Sequence, residues 1–243
     1  MNTILMTYFK YIGNELGTKR RNTVLSLLRP QPRASYLDCG CGDGKFTAEL
    51  ANKIDTRRIW GIEIIDSEIV KARKQGITVY KADLDRNFPL PSNSFDVVTA
   101  IQVIEHLFEV DTFVSELHRV LKPGGTAIIS TENLASWHNI FALVFGLQPS
   151  TGPYISNRFS IGFHPLATEH TKKHKKNPHL AVMRGHTRVL AYQSFLALFQ
   201  AYGFRIETVK AVGYYPLPSP FSGILARLDP THAVDMIARL RKL

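Results

Sequence analysis

The sequence contains few cysteines and no long apolar run. Its two cysteines, Cys39 and Cys41, stand two positions apart within a glycine cluster, too close for a useful structural disulfide. The longest apolar stretch beyond the N-terminal region covers residues 140–147, far too few to cross a membrane. Lys10 interrupts the only early apolar run and no basic residue precedes it, so no secretory signal is predicted. These absences predict a soluble, cytoplasmic protein without a transmembrane segment.

The composition is that of an ordinary globular protein, but the charge is unevenly distributed. Hydrophobic residues make up 44% and charged residues 21%, and 243 residues suit one large α/β domain. The formal net charge is +10, although residues 34–132 carry −4 and residues 133–206 carry +7. This distribution predicts a central core with basic attachments that meet an anionic partner. A solvated surface loop is the alternative for the lysines, Lys172, Lys173, Lys175 and Lys176.

From residue 34 onward, short apolar runs alternate with helical patterns, which predicts a parallel sheet with helices on both faces. The predicted strands span residues 34–37, 58–65, 77–81, 95–103, 126–131 and 204–212. The predicted helices span residues 45–53, 67–74, 110–121 and 190–201, and Ser67 matches an N-cap. Apolar residues at every second position from 234 to 240 predict a last edge strand, with a short helix as the alternative.

Residues 36–44 form a glycine-rich turn between a predicted strand and a predicted helix. Such a turn places backbone N–H groups beside a ligand at the carboxyl end of a sheet. A P-loop would need glycine at position 39 and serine or threonine at position 46, where this chain has Cys39 and Phe46. A dinucleotide fingerprint would place its third glycine at position 45, which is Lys45. Both phosphate-binding patterns are therefore disfavoured.

Three carboxylates at successive strand ends point to a different ligand. Asp38 would repel a pyrophosphate but suits a ligand that carries an amine and no phosphate, such as S-adenosylmethionine. Glu63 follows Gly44 by nineteen residues and is placed to accept hydrogen bonds from ribose hydroxyls. Asp83 follows the third strand and can accept a hydrogen bond from an adenine amine.

A series of motifs carries a specific resemblance. It comprises Asp-Cys-Gly-Cys-Gly-Asp-Gly at residues 38–44, Gly-Ile-Glu at 61–63, Lys-Ala-Asp-Leu at 81–84, Ser-Phe-Asp-Val-Val at 94–98, Val-Ile-Glu-His-Leu at 103–107 and Leu-His-Arg-Val-Leu-Lys-Pro-Gly-Gly at 117–125. In this order the motifs resemble the class I S-adenosylmethionine-dependent methyltransferases. The resemblance implies a Rossmann-like three-layer α/β fold with a seven-stranded, mostly parallel sheet whose last strand is antiparallel.

The resemblance also implies a set of cofactor-binding residues. Asp38 and Gly40, within the loop that also holds Gly42, would meet the methionyl part of S-adenosylmethionine. Glu63 would meet the ribose. The remaining members are Asp83 and Leu84 at the adenine and Gln102 near the methionyl group.

The same resemblance points to Glu105 and His106 as the catalytic pair. His106 is the titratable group of the two suited to neutral pH, so it is the candidate base, with a structural histidine as the alternative. Some members of the group, among them ubiquinone-pathway O-methyltransferases and enzymes that methylate the 3′ end of small RNAs, carry Glu-x-x-Glu-His here and bind magnesium. Gln102 replaces the first glutamate, and a neutral amide weakens a hard-cation site.

No metal site is therefore predicted. Three further histidines, His170, His174 and His179, are spaced loosely like metal ligands. Near them the sequence offers no cysteine and no carboxylate beyond Glu169.

The acceptor is expected to be a small molecule or a lipid- or sugar-linked group, with an anionic part as one option, methylated at oxygen or carbon. Residues 100–103 lack the Asn/Asp-Pro-Pro-aromatic loop of methylases that act on nucleobase amines. Residues 132–189 form a long insertion expected to bind the acceptor, in which His186 could face it. The helical spacing of Trp137, Phe141 and Phe145 is typical of ordinary core.

The chain is therefore predicted to form one methyltransferase domain at residues 34–243, preceded by an N-terminal helical segment at residues 1–33 that packs on its core. One alternative function is an RNA-directed methyltransferase that uses the basic segment 158–188. Another is a protein that binds S-adenosylmethionine without turnover. The amphipathic N-terminal segment would either touch anionic lipid at a membrane surface or form a lid over the pocket.

Overall fold

The computed structural model describes residues 3–155 and 185–243 of the chain. Seven strands form one sheet, and they comprise β1 (Ser35–Cys39), β2 (Arg58–Glu63), β3 (Thr78–Lys81), β4 (Phe95–Ile101), β5 (Leu121–Glu132), β6 (Phe204–Val212) and β7 (Asp235–Lys242). The described helices are α1 (Thr3–Leu27), α2 (Lys45–Ile54), α3 (Asp66–Lys74), α4 (Val110–Val120), α5 (Trp137–Val144), α6 (Tyr192–Ala201) and α7 (Phe221–Leu228). None of the described helices is both long enough and apolar enough to cross a membrane.

The sheet has the strand order β3-β2-β1-β4-β5-β7-β6. Strands β1 to β5 pair in parallel, while β7 runs antiparallel to both β5 and β6. The carboxyl ends of the five parallel strands therefore meet at one edge, where loops are free to build a site. This arrangement confirms the predicted mostly parallel, seven-stranded fold.

Alternate residues of the strands feed two apolar cores, one on each face of the sheet. On one face, Phe113 of α4 and Phe195 of α6 pack among buried residues of β1, β4, β5 and β7. On the other face, Val24 of α1 and Leu50 of α2 pack against the opposite side of the same strands. Because side chains alternate along a strand, Met236 and Ile237 of β7 enter different cores.

Three expectations need correction. β7 is not an edge strand, because it is inserted between β5 and β6 and is buried on both faces; β6 is the edge. Ser67 is not the N-cap of α3, since the helix begins at Asp66 and Ile65 occupies the cap. Acidic residues in the first turn of α3 favour this start because they face the positive end of the helix dipole.

The third correction concerns α5. Phe141 and Phe145 were expected in the core by their spacing, but their side chains are 62% and 63% exposed. The buried members of α5 are Asn139 and Ala142 instead. Helical spacing alone identifies an apolar face without showing what that face contacts.

Candidate active site

The glycine-rich turn after β1 has a backbone that only glycine accommodates well. Gly40, Gly42 and Gly44 all have positive φ angles, of 76°, 53° and 79°. A Cβ at Gly40 would lie 2.9 Å from the Val103 side chain, and one at Gly44 would lie 2.8 Å from the Cα of Ala72. The loop therefore brings backbone groups to the carboxyl edge of the sheet with no side chain in the way.

Glu63 at the end of β2 holds this loop in place. Its Oε2 accepts a hydrogen bond from the Gly42 N–H at 2.9 Å. Its Oε1 accepts from the N–H groups of Ile64 at 2.7 Å and Ile65 at 2.9 Å, just before α3 begins. Glu63 thus joins the glycine-rich turn after β1 to the turn after β2.

Asp38 lies beneath the loop. The β1 register places it beside Gly61 of β2 and Thr99 of β4, in the middle of the sheet. Its two carboxylate oxygens accept hydrogen bonds, each 2.5 Å long, from the hydroxyls of Thr47 and Thr99. Burial raises the pKa of Asp38 to about 6, even though both hydrogen bonds lower it. Direct contact between Asp38 and a methionyl group stays a prediction.

The loop after β3 carries the two residues expected at an adenine. Asp83 Oδ1 accepts from the N–H of Asp85 at 3.0 Å, and Leu84 is buried in the larger core. Asp85 in turn accepts from the N–H groups of Phe108 and Glu109, both at 2.9 Å. These bonds connect the turn after β3 to the segment after β4.

Gln102 follows β4 in a left-handed backbone conformation, with φ of 57°. Its N–H donates to the Ser130 carbonyl at 2.9 Å, and its side-chain amide donates to the Ser130 hydroxyl at 3.3 Å. A non-glycine residue in this conformation is uncommon and is often held by its surroundings at functional sites. Here the neighbouring strand β5 holds it.

Beside Gln102, the structure assembles a Glu-His cluster, which we define as Glu105, His106, Glu132 and His186. Glu105 and His106 form a short 3-10 turn after β4, and Glu132 ends β5. His186 arrives from the far end of the insertion, with Nδ1 3.0 Å from Glu132 Oε2. The rings of His106 and His186 meet edge to face, with centroids 4.9 Å apart.

Burial or charge raises the pKa values of two members of this cluster. Burial raises the pKa of Glu105 to about 7, and the nearby charge of Glu132 adds to the shift. Burial acts to lower the pKa of His186, but its hydrogen bond to Glu132 and the charge of that carboxylate raise it to about 9. Burial lowers the pKa of neighbouring His138 to about 4. The cluster therefore combines a readily protonated carboxylate with a readily charged imidazole.

Sequence reasoning named Glu105, His106 and His186 but missed Glu132 and Tyr154 beside them. Glu132 stands at the carboxyl end of a predicted strand, the same signal that identified Glu63, and could have been found by it. Tyr154, which stacks on His186 with centroids 4.9 Å apart, carries no such signal. Most of the basic segment 158–188 and the histidines at 170, 174 and 179 lie outside the described residues.

Comparisons with known proteins agree with this geometry. Residues 37–129 match the family model described as a methyltransferase domain. The segment 37–129 is therefore similar to methyltransferase domains, and it lies in the mostly parallel seven-stranded sheet described above. A crystal structure of an S-adenosylmethionine-dependent methyltransferase from Mesorhizobium loti shares the fold, with a TM-score of 0.62 at 20% identity over 91% of this chain and 96% of that one.

Curated relatives resemble part of the chain more closely. A probable S-adenosylmethionine-dependent methyltransferase from Mycolicibacterium smegmatis is 40% identical over 99 residues, which are 40% of this chain and 37% of that protein. An O-methyltransferase from Pyrenophora dematioidea is 34% identical over 149 residues, which are 52% of this chain and 54% of that protein. The chain thus spans about half, or less, of the length of these relatives.

S-adenosylmethionine fits the chemistry of the residues at this edge of the sheet. Gly40 is exposed, so its backbone is accessible to a ligand. Within residues 38–47, all of them described, Lys45 is the one cationic side chain, and its Nζ lies 3.1 Å from Asp43. The loop therefore suits a cationic ligand without phosphate better than a pyrophosphate.

Proposed function

We propose that the chain transfers a methyl group from S-adenosylmethionine to a small-molecule, lipid-linked or sugar-linked acceptor, at oxygen or carbon. The observation that carries this proposal is the convergence of the glycine loop with acidic residues at the ends of β1, β2 and β3. Five parallel strands end at this edge, so these groups, separate in sequence, lie at one edge of the sheet.

The bound donor would be held by the residues that the sequence motifs indicated. Gly40 and Gly42 would meet the methionyl part, Glu63 the ribose hydroxyls, and Asp83 with Leu84 the adenine. Asp38 supports the loop from below through Thr47 and Thr99, so we assign it a positioning role in addition to any direct contact. Gln102 would lie near the methionyl group.

Methyl transfer from a sulfonium is an in-line displacement, and the protein mainly orients the acceptor and excludes water. A hydroxyl acceptor must also lose its proton, and we propose that His106 assists this loss. His106 is half-buried, whereas Glu105 beside it is fully buried, so His106 is the member of the pair that an acceptor can reach.

The acceptor class is supported by two features of the site. The segment after β4 is Gln-Val-Ile-Glu-His and offers no proline-aromatic platform for a nucleobase. Exposed apolar side chains on α5 lie in the insertion that follows β5, where the acceptor would enter. The similarity to an O-methyltransferase favours oxygen as the methylated atom.

Calorimetric titration with S-adenosylmethionine tests the donor site directly. We expect one-to-one binding, no binding of a pyrophosphate dinucleotide, and roughly 10- to 100-fold weaker binding by the Glu63→Gln variant, because a charged hydrogen-bond acceptor is lost. Glu68→Gln, at a carboxylate on α3 paired with Lys71, is the matched control. Equal affinity of both variants would contradict the placement of Glu63.

Labelled donor and a cell extract then test turnover. A labelled small or lipid-soluble product supports the proposal. Label in RNA would instead support the alternative drawn from the basic segment, and donor binding without any labelled product would indicate a binding protein.

A further inference from the structure

The Glu-His cluster contains three metal-ligand side chains that the fold brings together from distant parts of the sequence. Glu105, His106 and His186 each offer one ligand atom, and these atoms lie within 4.8 Å of one another. We propose that these three residues bind a divalent transition-metal ion of the zinc class, with Glu132 in the outer shell. This proposal departs from the sequence-based prediction of no metal site, which rested on Gln102 and on the histidines at 170, 174 and 179.

Glu105 supplies the strongest evidence for a ligand. Its side chain is fully buried, and Oε2 accepts a hydrogen bond from the Thr131 hydroxyl at 3.0 Å. Its other oxygen, Oε1, is buried and has no hydrogen-bond partner among the described residues. An unsatisfied carboxylate oxygen in the protein interior is costly, and a cation coordinated by Oε1 would remove that cost.

His186 is held as a metal-binding histidine is usually held. Its Nδ1 lies 2.6 Å from the Thr151 carbonyl, which can only accept, so this nitrogen carries a proton; Glu132 Oε2 lies 3.0 Å from the same nitrogen. A carboxylate or carbonyl on one ring nitrogen fixes the tautomer and leaves the other nitrogen, Nε2, to coordinate an ion. The ring of Tyr154 stacks on the imidazole at an interplanar angle of 10° and fixes its orientation.

The donor set decides the class of ion. Two imidazoles and one carboxylate suit zinc and similar transition metals, whereas magnesium prefers a shell of oxygens. Gln102, at the position where a further carboxylate would favour magnesium, donates its amide to Ser130. Ligand atoms within 4.8 Å need only small side-chain rotations to reach about 2 Å from a shared ion.

An ion with three protein ligands keeps positions open for an oxygen of the acceptor. This use of the site rests on the proposed function: the ion would lower the pKa of a bound acceptor hydroxyl, whose proton would pass to solvent, and His106 would assist that loss as a ligand of the ion. Metal binding itself does not depend on that function, because none of the three ligands belongs to the proposed donor site.

The test is metal titration of the full chain after treatment with a chelator. At one fixed pH, we expect Zn²⁺ to bind one-to-one by calorimetry and Co²⁺ to give the visible absorption of a nitrogen- and oxygen-ligated site. Mg²⁺ should give no saturable signal. Glu132→Gln should weaken Zn²⁺ binding by about 10- to 100-fold, the range for outer-shell residues.

Glu105→Gln and His186→Ala should abolish the Co²⁺ absorption, while His232→Asn, at a histidine paired with Asp229, should leave it unchanged. Circular dichroism checks folding, and the nearly isosteric Glu105→Gln keeps the test decisive should His186→Ala fail to fold. Preferential Mg²⁺ binding, or Zn²⁺ binding that survives Glu105→Gln, would overturn the proposal. Donor titration of the metal-free chain is scored separately, so failure of the metal site and failure of the donor site are distinguishable.

Discussion

At the scale of single residues, several side chains combine a structural task with a proposed chemical one. Glu63 is one example, since the carboxylate proposed to meet the ribose also accepts three backbone N–H groups. Asp38 is another, because its carboxylate is buried under the loop that it is proposed to serve. Substitution of such residues changes loop geometry and ligand contact together, so substitutions that preserve shape are the informative ones.

Asp38 also makes the stability of the protein depend on pH. Its pKa is raised from 3.8 to about 6 in the folded state, so the folded protein binds more protons than the unfolded chain between these values. Stability from this residue is therefore fully present below about pH 4 and is lost as pH rises through 6, by roughly 3 kcal/mol.

We expect Asp38→Asn to lack this loss. Relative to the unmodified protein, the variant should gain stability between about pH 4 and pH 7, as measured by urea unfolding across that range. Asp66→Asn, at an exposed carboxylate paired with Lys81, is the control and should leave the pH dependence nearly unchanged. Identical pH profiles for Asp38→Asn and the unmodified protein would show that the burial of Asp38 has no such effect.

His106→Asn tests the proposed reacting face. Because His106 is assigned to proton loss from the acceptor and not to the donor site, we expect kcat to fall by roughly 100-fold or more with little change in S-adenosylmethionine affinity. The measurement uses the acceptor identified by labelling, with calorimetry for the donor. An unchanged kcat would remove His106 from the reaction.

At the scale of elements, the N-terminal helix is joined to the sheet by a buried ion pair. Arg20 of α1 donates two hydrogen bonds, each 2.9 Å long, to Asp235 at the start of β7. The register of the sheet places Asp235 opposite Glu132 of β5, so two acidic residues share this end of the strands. The arginine therefore offsets a concentration of buried negative charge.

Removal of this arginine should be strongly destabilising. We expect Arg20→Met to lower the free energy of unfolding by about 3–5 kcal/mol at pH 7, because Asp235 would remain buried without its partner. Burial raises the pKa of Asp235 to about 6, so the loss should shrink below that pH as the carboxyl becomes neutral.

The neighbouring Arg21 provides the matched control. It pairs with Glu49 at the surface, with about half of its side chain exposed, and Arg21→Met should cost at most about 1 kcal/mol. Urea unfolding of both variants at two pH values makes the comparison. Equal effects of the two substitutions would contradict the structural importance of the buried pair.

At the scale of the whole molecule, the net charge of +10 and the exposed apolar helices suggest different partners. Besides Phe141 of α5 and Phe145 just after it, Phe221 and Leu228 of α7 are largely exposed. Trp137 of α5 donates a hydrogen bond to Asp229, just beyond α7, at 3.0 Å. The two helices thus approach each other while presenting apolar side chains to solvent, an arrangement that favours an apolar acceptor.

Salt dependence separates the two kinds of partner. We expect the rate of methyl transfer to a neutral apolar acceptor to change little between about 50 and 200 mM salt, whereas retention of RNA, being electrostatic, should weaken steeply. Rates and filter-bound RNA are measured on the same preparation. Methyl transfer that falls in parallel with RNA retention would favour the RNA-directed alternative.

The sequence alone determined the parallel strands, most helices and the glycine turn after β1. These features follow from local rules, namely side-chain alternation along a strand, helical spacing, and the positive φ angles that only glycine adopts freely. The motifs also indicated S-adenosylmethionine as the donor, because each motif is a short contiguous segment that can be recognised without the fold. Local patterns did not show that β7 lies inside the sheet, since alternation reveals a strand but not its neighbours.

Tertiary structure alone decided which side chains meet at the site. His186 contacts Glu132 across 54 positions of sequence. Thr131 of β5 donates a hydrogen bond to Glu105, which lies in the turn after β4. The burial that raises the pKa values of Asp38 and Glu105 is likewise a property of packing. The physical reason is that burial and charge interactions depend on distances in space, and long-range packing sets those distances.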